Sequence, residues 1–278
     1  MNSFPLDPTD IEILRFIGEV CDRAEVEWIL VGAMARDVQL QHRANVSAGR
    51  ATTDIDIAVI VESWAGFALL VAAFTQTQQF GHARSAHKLL GTDSGSFPGR
   101  KVDIVPFGGV EDEGSAIRWP PDGAHVMSVV GFKEALATAE TIRIADFDIR
   151  VVSVPALAAL KLIAWLDRRM EDSKDAVDFE RIIRTYEHVI GERMFQGLEF
   201  EILKEVDFEM EKAAAQILGV HVASACAAST VEVIKGLLQA DRDRSLLIAQ
   251  MDAGKFSSGQ QLQAPQQVEF FEKGLLGT

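Results

Sequence analysis

The segment Ala51-Thr52-Thr53-Asp54-Ile55-Asp56-Ile57-Ala58-Val59-Ile60-Val61 constrains the fold of this chain more than any other. Its apolar run is that of a buried strand, yet it holds two carboxylates two residues apart. Side chains alternate faces along a strand, so Asp54 and Asp56 share one face while Ile55 and Ile57 enter a core on the other. Like charges side by side on a strand face repel. A cation between them removes that cost. Paired hard carboxylates suit Mg²⁺, whose shell is completed by water and substrate phosphates. The segment therefore predicts a metal-dependent phosphoryl-type transferase, the alternative being a solvent-facing pair at a strand end.

The chain has 278 residues, 48% hydrophobic and 24% charged, which is the balance of an ordinary globular protein with room for two domains. A net charge of −14 argues against a general nucleic-acid coat, because such binding relies on Lys and Arg against phosphate. A local basic pocket remains compatible with it. Cys21 and Cys226 are too few for a disulfide framework and lack metal-ligand spacing. The six histidines are scattered, which excludes a paired zinc motif. The N-terminus carries no signal-peptide pattern, and no apolar run reaches spanning length. The expectation is a cytoplasmic protein with no membrane partner.

Asp7-Pro8 opens a predicted helix, followed by a short strand over 27–31 that ends at Gly32, and a helix from Ala33 to about His42. Asn45 to Gly49 reads as a polar loop. After the Asp54 strand come a helix over 63–77, a weaker strand at 88–90, a strand over 100–107, a loop over 108–123, a strand at 126–130 and a hairpin over 141–152. From Pro155 the pattern turns helical. One helix encloses Lys161, a second covers 172–187, and longer ones cover 208–228 and 231–251. A Ser/Gly/Gln-rich stretch over 254–267 reads as a linker. Beyond it, Phe270, Phe271, Leu275 and Leu276 form a short docking helix, on the protein itself or on a partner. The fold class is α/β (α+β): a small mixed sheet with flanking helices over residues 1–153, a helical domain over 154–252, and a linker with a tail over 253–278.

Three features combine into a site. Val31-Gly32-Ala33-Met34-Ala35-Arg36-Asp37 is a strand turning through glycine into a helix, which presents N–H groups and a positive helix end to an anion. Asp54 and Asp56 lie on the next strand. Lys101-Val102-Asp103-Ile104-Val105 is another apolar strand with one acid, costly there unless paired or bound. Three carboxylates on neighbouring strands would hold two divalent cations, as in-line displacement at phosphorus uses.

This order of elements resembles the polymerase-β-type nucleotidyltransferase superfamily. Arg50-x-Thr52-Thr53-Asp54-Ile55-Asp56 is similar to the Arg-x-Ser/Thr-x-Asp-hydrophobic-Asp signature of AbiEii-type toxin nucleotidyltransferases. The helix Leu157 to Arg168 around Lys161, followed by Lys174-Asp175-x-x-Asp178, is similar to that family's lysine helix and Lys-Asp motif. The resemblance covers residues 28–186. Two features depart from it: Ala33 stands where the superfamily has Gly or Ser, and Gly32 lies 22 positions before Asp54, a longer spacing than usual.

The resemblance implies transfer of a nucleoside monophosphate from an NTP to an acceptor hydroxyl, with two Mg²⁺ ions. Asp54 and Asp56 would bridge both ions. Asp103 would complete the inner one and take the acceptor's proton. Gly32, Ala33, Arg36, Arg50, Thr53 and Lys161 would bind the nucleotide. Three of these residues keep open alternatives. Lys161 is either a charge on the phosphates or a lysine snorkelling out of its helix. Arg36 reaches a phosphate, Asp37 or Asp54. Arg50 positions the Asp54 strand, contacts the acceptor, or is a surface charge. Asp175 is expected to cap or salt-bridge the second helix. The toxin resemblance implies RNA, especially the tRNA 3′ end, as acceptor, and a cognate antitoxin as partner. The alternatives are an aminoglycoside or lincosamide nucleotidyltransferase, to whose cationic substrates an acidic surface is attractive, and a non-catalytic nucleotide-binding module.

Overall fold

The computed structural model of the protein describes residues 6–46, 54–83, 85, 87–252 and 262–277. These divide into two compact units, with the division between Val152 and Ser153; the short segment Arg43–Val46 groups with the second.

The first unit is built on a seven-stranded mixed sheet. Its elements are α1 (Pro8–Arg23), β1 (Trp28–Val31), α2 (Gly32–Ala44), β2 (Asp54–Val61), α3 (Trp64–Gln76), β3 (Phe80–His82), β4 (Lys88–Gly91), β5 (Lys101–Gly108), β6 (Ala116–Arg118), β7 (Val126–Ser128), α4 (Phe132–Ala137), β8 (Glu140–Ile144) and β9 (Phe147–Val151). The sheet order is β3-β4-β5-β2-β1-β9-β8, while β6 and β7 form a separate ribbon. Helix α1 starts where the Asp7 side chain accepts from the Thr9 N–H at 2.7 Å, with Pro8 in the first turn. Its stripe of Ile13, Leu14, Ile17, Val20 and Cys21 is buried. The central strands β1, β2 and β5 carry Ile29, Leu30, Ile55, Ile57, Val102 and Ile104, all essentially inaccessible. The site-bearing strands are thus among the most deeply anchored in the unit.

The second unit is helical: α5 (Val154–Arg168), α6 (Lys174–Ile190), α7 (Gly197–Glu205), α8 (Met210–Ala225), α9 (Ala228–Gln239), α10 (Asp241–Asp252) and α11 (Ala264–Leu276). Helix α11 docks on α8 of the same chain, burying Val268, Phe271 and Leu275. A Cβ placed on Gly274 would stand 2.8 Å from the Gln216 carbonyl carbon, so the two backbones meet with no room for a side chain.

Several elements differ from the sequence expectation. The weak strand at 88–90 is one arm of the β3–β4 hairpin, whose three-residue partner Phe80–His82 is too short to show alternation. Ala116–Arg118 lies in the stretch read as loop and pairs with β7. Helix α4 has only six residues, too few for a helical period. Residues 231–251 are not one helix: α9 ends at Gln239, Ala240 is extended, and α10 begins at Asp241, a break with no glycine or proline to mark it. The expected linker overlaps α11, which begins at Ala264; most of the rest of that stretch lies outside the described residues.

Candidate active site

The site is set by strand register. In the antiparallel pair β1/β2, Val31 lies opposite Asp56. In the parallel pair β2/β5, Asp56 lies opposite Asp103 and Asp54 opposite Lys101. In the antiparallel pair β4/β5, Lys88 lies opposite Asp103. Paired residues on neighbouring strands share a face, so Asp54, Asp56, Asp103, Lys88 and Lys101 line one side of the sheet centre. Accessibility follows the same alternation: the three acids are partly exposed, and Ile55, Ile57, Val102 and Ile104 between them are buried.

Gly32 closes the row. Its φ of +69° lies in the left-handed region, where the chain leaves β1 and enters α2. The Asp56 side chain fills the space a Cβ at Gly32 would take: its own Cβ and Cγ lie 2.7 Å from that point, and Oδ2 is closer still. The Asp56 carboxyl group is therefore packed against the start of α2, the end of a helix that favours negative charge. Ala33 follows as the second residue of α2 and is half-buried.

The acids are partly neutralised by lysines. Lys88 Nζ donates to Asp103 Oδ2 at 2.6 Å. Lys101 Nζ stands 3.6 Å from Asp54 Oδ1. Two carboxylates at the strand spacing of about 4.8 Å repel by about 3 kcal/mol at an effective dielectric near 20. Asp103 Oδ1 is buried and has no hydrogen-bond partner among the described residues. A buried carboxylate oxygen without a partner is costly and points to a ligand.

A divalent ion fits this donor set in kind. The side chains offer hard oxygens, as Mg²⁺ prefers, Asp103 Oδ1 lacks a partner among the described residues, and two ammonium groups already stand at the carboxylates. Among the described residues no three His, Cys, Asp or Glu side chains are grouped closely enough to hold a metal as they stand. The acids share a face without forming a closed cage.

The remaining expected residues are placed differently. Arg36 is buried and donates from Nε and Nη2 to Asp37 Oδ1 at 2.9 and 2.7 Å. Lys161 lies in the second unit. Its ammonium is buried between Asp175 at 3.0 Å and Asp178 at 2.7 Å, and Arg168 holds the other Asp175 oxygen at 2.6 Å. It neither snorkels to solvent nor stands as an unpaired charge. Burial alone would push the Lys161 ammonium down, but Asp178 and Asp175 outweigh burial and hold it above its ordinary value. Asp175 is the salt-bridging residue expected of it. Arg50 and Thr53 lie outside the described residues. Lys88 was not anticipated, because its pairing with Asp103 comes from the register of two strands; a cation at the head of a weak strand was the only signal in the chain.

The model of the nucleotidyl transferase AbiEii toxin family, of type IV toxin–antitoxin systems, matches residues 16–212. This chain belongs to the AbiEii family. It is accordingly a nucleotidyltransferase, and the matched span takes in Gly32, Asp54, Asp56, Asp103 and Lys161. No curated protein matches the AbiEii chain. Among solved structures it is similar to the solution structure of the antibiotic-resistance factor ANT(2'')-Ia, at 14% identity and a TM-score of 0.36, covering 89% of this chain and 99% of that one. It is also similar to the crystal structure of an antigenic nucleotidyltransferase-like protein from Paracoccidioides brasiliensis, at 14% identity and a TM-score of 0.42, covering 73% and 91%. No described helix of this AbiEii-family protein is long and apolar enough to cross a membrane.

Proposed function

We propose that this AbiEii-family enzyme transfers a nucleoside monophosphate from an NTP to a hydroxyl of RNA, with tRNA the favoured acceptor, in the cytoplasm. The bond formed is between the acceptor oxygen and the α-phosphorus. The bond broken joins that phosphorus to the leaving pyrophosphate. Asp54, Asp56 and Asp103 would hold two Mg²⁺ ions. When bound, such ions polarise the phosphoryl oxygens and neutralise charge on the leaving group. Asp103 would take the acceptor hydroxyl's proton. The N–H groups at the start of α2, from Gly32 and Ala33, would face phosphate oxygens. Arg50 and Thr53 are assigned to the nucleotide through the family signature. Arg36 would support the start of α2 through its ion pair with Asp37, and Lys161, a nucleotide-binding residue by the family resemblance, is held between Asp175 and Asp178 of the helical unit.

The observation that carries this reading is the register that sets Asp56 between the Gly32 reversal and Asp103, with a buried Asp103 oxygen unpartnered. Membership of a family from type IV toxin–antitoxin systems supports a cognate antitoxin as partner. The net charge of −14 supports a second acceptor class, cationic small molecules such as aminoglycosides.

The test is incubation of purified protein with each α-labelled NTP, Mg²⁺, and either bulk tRNA or a panel of aminoglycosides and lincosamides. Label retained on tRNA, and lost in Asp56→Asn, is the expected result. Label on a drug would select the second class. A protein that binds NTP and labels no acceptor in cell extract would overturn the transferase assignment and leave a nucleotide-binding module.

A further inference from the structure

Lys88 lies outside every motif that marks the site, yet its ammonium donates to Asp103 Oδ2 at 2.6 Å. Its backbone is fixed opposite Asp103 by the β4/β5 ladder, and the main-chain N–H of Ile104 donates to the His87 carbonyl beside it at 2.8 Å. The lysine is therefore aimed at Asp103 by the sheet itself. Its side chain is 37% exposed, against 15% for Asp103. The ammonium comes from the open side and takes Oδ2, while the second oxygen, Oδ1, stays buried and unpartnered among the described residues. Lys101 stands near Asp54 in a looser version of the same relation, at 3.6 Å with a half-exposed side chain.

We propose that Lys88 is a positioning residue that makes metal entry depend on the nucleotide. This rests on the reading that Asp54, Asp56 and Asp103 hold divalent ions. By occupying Oδ2, Lys88 leaves Asp103 a single oxygen for an ion and fixes which one it is. Its charge also lowers the attraction of the row for a dication when no phosphate is present. A triphosphate brings negative charge of its own, which offsets the lysine and draws the ion in. The ion-free protein then keeps its acids paired, and ion and nucleotide bind cooperatively.

The test is Mn²⁺ binding, followed by electron paramagnetic resonance, to wild type and to Lys88→Met, Lys88→Arg and Asp103→Asn, each with and without a non-hydrolysable NTP analogue. A unit charge removed a few ångströms from a dication changes its affinity by about tenfold under partial screening. Lys88→Met is expected to bind Mn²⁺ about tenfold more tightly without nucleotide, and to lose most of the enhancement the analogue produces in wild type. Lys88→Arg is expected to restore wild-type behaviour. A purely structural lysine would give weaker Mn²⁺ binding in Lys88→Met, with a lower melting temperature, and that result overturns the inference. So does unchanged affinity in Lys88→Met while Asp103→Asn weakens binding, which leaves the metal site standing. Mn²⁺ affinity unaltered by Asp103→Asn would instead remove the metal reading, and the inference with it.

Discussion

Replacing Gly32 with alanine tests the link between one backbone angle and the site. Two costs can be separated. The first is conformational: an alanine held at a φ of +69° costs about 1–2 kcal/mol. The second is steric. The new Cβ would stand 2.7 Å from Asp56 Cβ and Cγ, where carbon atoms settle at about 3.5 Å or more. Asp56 or the start of α2 must therefore shift by roughly 0.8 Å. Misplacing a reacting group by about 1 Å can cost a hundredfold in rate. Gly99→Ala supplies the control, because Gly99 has a φ of +73° and, its two chain neighbours apart, no atom of the described residues lies within 4 Å of its added Cβ. Both variants are expected to lose about 3–8 °C in melting temperature, from the conformational cost alone. Only Gly32→Ala is expected to lose nucleotidyl transfer by about a hundredfold. Thermal scanning and a single-turnover labelling assay read the two quantities. Full activity in Gly32→Ala, with the melting loss present, would refute the claim that Asp56 works from the place Gly32 leaves open.

Other outcomes follow from the same structure. Lys161→Ala takes away the ammonium shared by the buried Asp175 and Asp178, Asp175 keeping Arg168, and is expected to cost about 3 kcal/mol, seen as a fall in the urea midpoint; an unchanged midpoint would show that the ion cluster does not support the helical unit. Gly274→Ala pushes α11 from α8 and is expected to destabilise by about 1–3 kcal/mol, with faster proteolysis of the C-terminal helix. Burial holds the His221 imidazole below its ordinary value, with Glu199 opposing that only in part and Arg193 adding to it; its Nδ1 lies 2.7 Å from the Tyr186 hydroxyl. The unfolded chain then takes up a proton that the folded one refuses. His221 contributes no pH dependence well above its ordinary value of 6.5, and stability is lost as pH falls from there toward the depressed folded value. Urea midpoints between pH 7.5 and 5.5 are expected to fall more steeply in wild type than in His221→Gln.

The strands of the candidate site are legible because they break a rule: an acid inside an apolar run is costly, which singles out Asp54, Asp56 and Asp103 one strand at a time. Their alternation also told which side each faced. What joins them was not legible. The order of strands and the register that sets Asp56 opposite both Val31 and Asp103 come from pairing between distant segments, which no local pattern encodes. Lys88 was hidden for the same reason. Lys161 is the instructive intermediate case. Its apolar flanks showed a buried lysine, and Asp175 and Asp178, three apart on the next helix, showed two acids on one face. Joining those observations would have given the ion cluster; the family resemblance drew attention to phosphate instead. Short elements such as β3 and α4 escaped because they are shorter than the periods that reveal strands and helices. The break at Ala240 escaped because an extended alanine leaves no mark.

The central claim is that Asp54, Asp56 and Asp103 together receive divalent metal beside the Gly32 turn. Anomalous diffraction from crystals grown with Mn²⁺ and a non-hydrolysable NTP analogue addresses it directly. Mn²⁺ peaks bounded by oxygens of all three acids are expected, with Asp103 contributing Oδ1 and the triphosphate beside the start of α2. Nucleotide bound without metal at these residues, or metal held elsewhere while Asp103 stays out of reach of it, would contradict the account.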